Sequence, residues 1–168
     1  MANDRIVVKA IREVGGDEAA QILVSSDPDV WDRWPHSFRF ADEVQPGVRN
    51  APTSKDVAAI VSILRLWVAS GLQLTVACDA GMCRSTAIAF VAAAMAEPER
   101  DPKELLNELM WQHPEDRLFW PNHLIVFWAE QHLGRTDLLP ALQWFKGSHE
   151  TCWIDSGEPP HACGLEAP

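Results

Sequence analysis

Leu74-Thr75-Val76-Ala77-Cys78-Asp79-Ala80-Gly81-Met82-Cys83-Arg84-Ser85-Thr86 is the stretch whose reading decides the fold. Leu72 to Ala77 is a compact apolar run that predicts a buried strand, and Ala-rich Arg84 to Met95 predicts a helix. The chain must turn sharply between them, so successive backbone N–H groups can converge on one point. With the positive end of the helix dipole, those donors suit a tetrahedral oxyanion. Asp79, Ala80, Gly81, Met82, Cys83 and Arg84 are therefore the candidate phosphate-binding residues. Gly81 supplies the freedom for positive φ, and the planar fork of Arg84 can hold two phosphate oxygens at once. Cys78 sits where the same field acts on its sulfur, since helix N-termini and nearby Arg lower a thiol pKa. A thiolate beneath a bound phosphoryl group is placed for in-line attack, and the Ser85 hydroxyl can donate to it as it leaves.

Outward from this loop, the pattern alternates between sheet and helix. Ile6-Val7-Val8, Gln21 to Ser26 and Phe38-Arg39-Phe40 predict strands, and Asp27-Pro28-Asp29 predicts a turn. Thr53-Ser54-Lys55-Asp56 fits a capping box that opens an amphipathic helix ending near Ser70-Gly71. Asp101-Pro102 opens a helix that ends near His113-Pro114; Pro121-Asn122 opens another that stops at Gly134. A last helix is expected over Thr136 to Phe145. The expectation is α/β, a central mostly parallel sheet flanked by helices. One domain is expected over 1–145, with a poorly packed tail over 146–168, where Gly, Pro, Ser, Glu and His accumulate.

Cys78, Gly81, Arg84 and Ser85, with Ala80 before the glycine, resemble the loop His-Cys-x-x-Gly-x-x-Arg-Ser/Thr of the protein tyrosine phosphatase superfamily. Phe38-Arg39-Phe40-Ala41-Asp42 is similar to that family's strand leading into a loop with a general-acid aspartate. Trp120-Pro121-Asn122-His123-Leu124 resembles the Pro-Asn helix start of dual-specificity-type phosphatases. About residues 20 to 133 fit a small bacterial-type tyrosine or dual-specificity phosphatase. The resemblance implies a dual-specificity-phosphatase-like fold and hydrolysis of phosphate monoesters through a phosphocysteine, with Cys78 as nucleophile. It implies Arg84 as transition-state clamp, Asp42 as acid and then base, and Ser85 as hydroxyl donor. No cofactor and no metal are expected, because the loop itself supplies the positive charge. The family's histidine before the cysteine is Ala77 here, which implies weaker tuning of the thiol by backbone amides and Arg84 alone.

Several residues carry more than one reading. Cys78 by itself reads as a small buried apolar residue; Gly81, Arg84 and Ser85 at their spacing favour the nucleophile. Glu43 is the local rival of Asp42 as proton donor. Trp34-Pro35-His36 looks like the Trp-Pro-Asp loop of larger tyrosine phosphatases, but its third residue is His. Asn122 is a helix cap or a supporting residue that positions the loop or a water. Cys83 is a packed thiol at the helix start or a redox partner. The low-molecular-weight tyrosine phosphatases have a second cysteine at this spacing that forms a reversible disulfide with the nucleophile. His149, Cys152, His161 and Cys163 match no usual zinc spacing.

Charge narrows the partners. The 168 residues hold 14 Lys+Arg against 24 Asp+Glu, a formal net charge of −10, which argues against nucleic acid and anionic membranes as partners. The start of the chain lacks a secretory pattern, and the longest apolar run, Ala87 to Ala96, is about half a membrane span. Four cysteines are few for a disulfide scaffold, so a cytoplasmic protein is expected. The five residues between Cys78 and Arg84 include one acid and no base, which disfavours polyphosphorylated substrates. The expected partner is a phosphorylated protein or a small phosphate monoester, phosphotyrosine or an aryl phosphate best of all. Two rivals keep the loop: a phosphoprotein-binding module without turnover, and a rhodanese-type sulfur transferase, which does not need the arginine.

Overall fold

A computed structural model describes the backbone of residues 2–14, 22–27, 29 and 36–156. Four strands, β1 (Ile6–Ala10), β2 (Ile22–Ser25), β3 (Ser37–Arg39) and β4 (Leu74–Cys78), form one sheet in the order β1-β4-β2-β3. Every pairing is parallel, with Ala10 and Val24 on either side of Cys78 in register. The chain is therefore an α/β protein with a parallel sheet flanked, among the described residues, by five α-helices, as its alternating pattern predicts. Because all strands run the same way, their carboxyl ends share one edge, the edge where loops of such sheets gather ligands. Ala10, Ser25, Arg39 and Cys78 all end there.

The helices are α1 (Ser54–Ser70), α2 (Arg84–Ala96), α3 (Pro102–Gln112), α4 (His123–Leu133) and α5 (Leu138–Ser156). Their starts have local causes. Thr53 accepts from the Asp56 N–H while Asp56 reaches back to Thr53, the predicted capping box. Asp101 caps α3 ahead of Pro102, whose missing N–H costs nothing in a first turn. Helix α2 is buried on every side from Arg84 to Ala94, and its run of alanines lets the sheet and its neighbouring helices approach closely. Alternation along β4 divides the sheet faces. Leu74, Val76 and Cys78 face the main core with the helices, whereas Ala77 packs with Leu23 against Ile11 and Val14 on the other face. Ala77 thus fills a small apolar cluster.

One boundary differs from expectation. Helix α5 does not stop at Phe145 but runs on to Ser156, so the expected limit at 145 falls inside it. Phe145 and His149 lie four residues apart on one helix face, both buried, with ring centroids 4.2 Å apart. The Gly147-Ser148 pair that reads as tail on composition is carried by this packing. His149 Nδ1 lies 2.7 Å from the Phe145 carbonyl oxygen. Trp34, Pro35, Pro28, His161, Cys163 and the side chain of Cys152 lie outside the described residues. Among the described residues, no helix is long and apolar enough to cross a membrane.

Candidate active site

The loop from Cys78 to Arg84 turns at the carboxyl edge of β4, and the ends of the other three strands each brace it. Gly81 takes φ +73° and lies so close to β1 that a Cβ there would stand 2.8 Å from the Ala10 nitrogen. Its N–H closes the turn on the Cys78 carbonyl at 3.2 Å. From the end of β2, buried Ser25 donates its hydroxyl to Asp79. Just past β3, the Phe40 carbonyl accepts from Arg84 Nη1 at 2.9 Å.

The outer side of the loop is held as firmly. The Met82 carbonyl accepts from the Trp120 N–H at 3.2 Å, and the Cys83 carbonyl from the Asn122 N–H at 3.0 Å. Thr86 Oγ1 donates to the Cys83 carbonyl at 2.9 Å and also to that of Met82. In a trans peptide the next N–H points opposite its carbonyl, so tying these two carbonyls directs the Cys83 and Arg84 N–H groups the other way. A loop with its carbonyls bound outside is suited to receive an anion with its amides.

Within this frame Cys78 Sγ is buried, 1% exposed, and stands 3.0 Å from Ser85 Oγ, itself fully buried. Arg84 is only 7% exposed. Its Nη2 donates to Asp79 Oδ2 at 2.7 Å, while its Nε has no hydrogen-bond partner among the described residues. An unpaired buried guanidinium N–H is costly, and an oxyanion in the loop would satisfy it. Burial raises the Asp79 pKa, but the Ser25 and Arg84 hydrogen bonds and the Arg84 charge outweigh it and hold the carboxyl below the usual range.

That shift has a pH signature. A depressed folded pKa contributes stability that is full above about pH 4, the unfolded value, and is lost as pH falls through the folded value. The Asp79 side chain is 37% exposed, so solvent screens the pair. Asp79→Asn is expected to cost about 0.5–1 kcal/mol at pH 7. The gap from wild type should shrink steadily in urea titrations taken below about pH 4. A gap that widens on acidification would contradict a depressed Asp79 pKa.

Asp42 lies at the exposed rim, tied from one side by Asn122 Nδ2 at 2.7 Å. Asn122 is 2% exposed and does two jobs. Its Oδ1 accepts from the N–H groups of Leu124 and Ile125, capping α4, and its Nδ2 also donates to the Glu43 carbonyl at 3.0 Å. The cap and the positioning role are therefore both present. Asn122→Ala is expected to cost about 2 kcal/mol in denaturant unfolding, from a lost cap and abandoned buried acceptors. Asn122→Ser, which restores the cap alone, should recover about half of it. Full recovery by serine would leave the tie to Asp42 without energetic weight.

The second loop cysteine is less reactive than its spacing suggests. Burial, then a hydrogen bond to Asp42, then the Asp42 charge push the Cys83 thiol up to about 12. Cys78 and Cys83 are both free. A redox partner must attack as thiolate, and a thiol held at this value supplies little of it near neutral pH. Cys83 is thereby held as a neutral thiol beside Asp42.

No family model, curated protein or solved structure matches the chain. The reading of the site therefore rests on its own residues. The sequence placed Cys78, Asp79, Gly81, Met82, Cys83, Arg84, Ser85, Asp42 and Asn122 as candidates, and the fold gathers them at one sheet edge. Ala80 is exposed in the same loop. Ser25 and Lys146 were not anticipated. Ser25 had one visible signal, a polar residue closing an apolar strand. Lys146, in the segment read as tail, had none.

Proposed function

We propose that this protein hydrolyses phosphate monoesters, phosphotyrosine or an aryl phosphate, through a phosphocysteine intermediate, as the dual-specificity-type phosphatases it resembles do. The observation that carries the reading is the buried Cys78 Sγ, 3.0 Å from Ser85 Oγ, in a loop that also presents Arg84 and its unpaired Nε. Cys78 thiolate attacks phosphorus in line, and the bond from phosphorus to the leaving oxygen breaks. Asp42 gives that oxygen its proton, while Arg84 and the loop amides hold the transferring group. Water then attacks phosphorus and yields its proton to Asp42. The phosphorus–sulfur bond breaks to release phosphate, and the Ser85 hydroxyl donates to the departing thiolate.

A second reading, phosphate binding without turnover, draws on Arg84, whose Nη groups already hold the Phe40 carbonyl and Asp79. Rapid quench with an aryl phosphate in chelator separates the two. Hydrolysis predicts vanadate-sensitive turnover with a burst of the phenol and a phosphate adduct on the Cys78 peptide. Phosphopeptide binding with no burst and no adduct would overturn hydrolysis in favour of the binding module.

A further inference from the structure

A cavity of about 510 Å³ opens beside the loop, between the stretch after Asp42 and helices α4 and α5. Val44, Trp120, His123, Leu139, Leu142 and Lys146 are among its lining residues. Its lining residues neighbour the site on the Asp42 side. Trp120 is bonded through its N–H to the Met82 carbonyl, His123 follows Asn122 directly, and Val44 stands two residues beyond Asp42. Lys146 reaches across from α5: its ammonium lies 5.0 Å from the Trp120 ring centroid and feels the charge of Asp42. Among the described lining residues Lys146 carries the charge, while burial and then the Lys146 charge pull the His123 pKa down. The walls are otherwise mostly apolar or aromatic.

This inference rests on the hydrolytic reading above and extends it to the substrate. A general acid must face the leaving oxygen, so a cavity on the side of Asp42 is where the rest of the leaving group goes. We infer that this cavity is a leaving-group subsite for an aryl group carrying an anionic substituent, with its ring against Leu139 and Trp120 and its charge at Lys146. The apolar walls favour a ring over a serine- or threonine-sized stem. The lysine favours a carboxylate on that ring, or an acidic residue next to a phosphotyrosine, against the repulsion of the molecule's net charge of −10. A molecule that is acidic overall thereby selects an acidic neighbour through one local cation.

Two substrates of like size test this: 4-(carboxymethyl)phenyl phosphate and uncharged 4-ethylphenyl phosphate, given to the full chain. Wild type should show kcat/KM about tenfold higher for the carboxylated ester, the scale of one charge-assisted contact. Lys146→Met retains the length of the stem and should bring the ratio close to one. Any effect of the lysine on Asp42 would slow both esters together and leave the ratio unmoved. Val44→Glu, at a position 47% exposed and so harmless to the core, should lower the ratio as well. Wild-type turnover of both esters with a ratio near one, or a ratio unchanged in Lys146→Met, overturns the subsite and leaves the phosphatase reading intact. No turnover of either ester by wild type overturns the phosphatase reading and the subsite together.

Discussion

Cys78→Ser is expected to lower kcat for aryl phosphate hydrolysis by about 10⁴-fold or more, the range for removing a covalent nucleophile. The substitution exchanges one atom at a buried strand end and leaves the loop amides, Arg84 and Asp42 in place. What it removes is the thiolate, because a serine hydroxyl without a partnered base is not ionised near neutral pH. The Ser85 hydroxyl, 3.0 Å from the sulfur, does not supply that base, since it is itself un-ionised near neutral pH. Binding of inorganic phosphate or vanadate should survive, as it depends on the loop and Arg84. Isothermal titration with vanadate beside steady-state kinetics separates the two properties. Undiminished turnover in the serine variant would end the proposed mechanism.

Gly81→Ala is expected to be the most disruptive single methyl group in the loop. Alanine at φ +73° costs about 1 kcal/mol in backbone strain alone. Steric conflict costs more. The new Cβ would stand 2.8 Å from the Ala10 nitrogen, 2.9 Å from the Lys9 carbonyl carbon and 3.1 Å from its oxygen. These are backbone atoms of β1, held in register with β4 at Ala10 and Cys78, so no side chain can swing aside. Either the loop lifts from the sheet or β1 shifts, and both move the amides proposed to hold the phosphate. The expected cost is about 3 kcal/mol in denaturant unfolding, with a 10²- to 10³-fold fall in kcat/KM, roughly what a misplacement of 1 Å brings. Gly47→Ala is the matched control: φ is +81° there, yet nothing lies within 4 Å of the added carbon. It should cost only the backbone strain, about 1 kcal/mol, and leave activity unchanged. Equal losses at the two glycines would show that close packing on β1 does not matter to the loop.

Local chemistry explains why so much of the fold was legible. Thr53 with Asp56, Asp101 with Pro102 and Asn122 mark helix starts because each satisfies N–H groups within a few residues of itself. Gly71 and Gly134 mark the ends of α1 and α4 for the complementary reason, both adopting the left-handed conformation at a C-cap. Strand β4 was legible from its continuous apolar run, as a strand covered on both faces should be. The end of α5 was not. Gly147 and Ser148 are poor helix formers, and tertiary packing such as the stacking of Phe145 with His149 offsets them.

The candidate site divides along the same line. Cys78, Gly81, Arg84 and Ser85 lie within eight residues, so their gathering in one loop between strand and helix was readable from spacing, and the parallel sheet was readable from alternation. Tertiary structure alone decided the partners that arrive from elsewhere in the chain. It brought Ser25 to Asp79, the Phe40 carbonyl to Arg84, Asn122 to Asp42 and Lys146 to the rim of the cavity. It also set Cys83 near Asp42, which with burial pushes the thiol pKa up, an effect that spacing relative to Cys78 does not suggest. Residues close in sequence share a local backbone geometry that their types reveal. Residues 40 to 80 positions apart meet only because a parallel sheet sets every strand's carboxyl end on one edge and stacks its helices beside it.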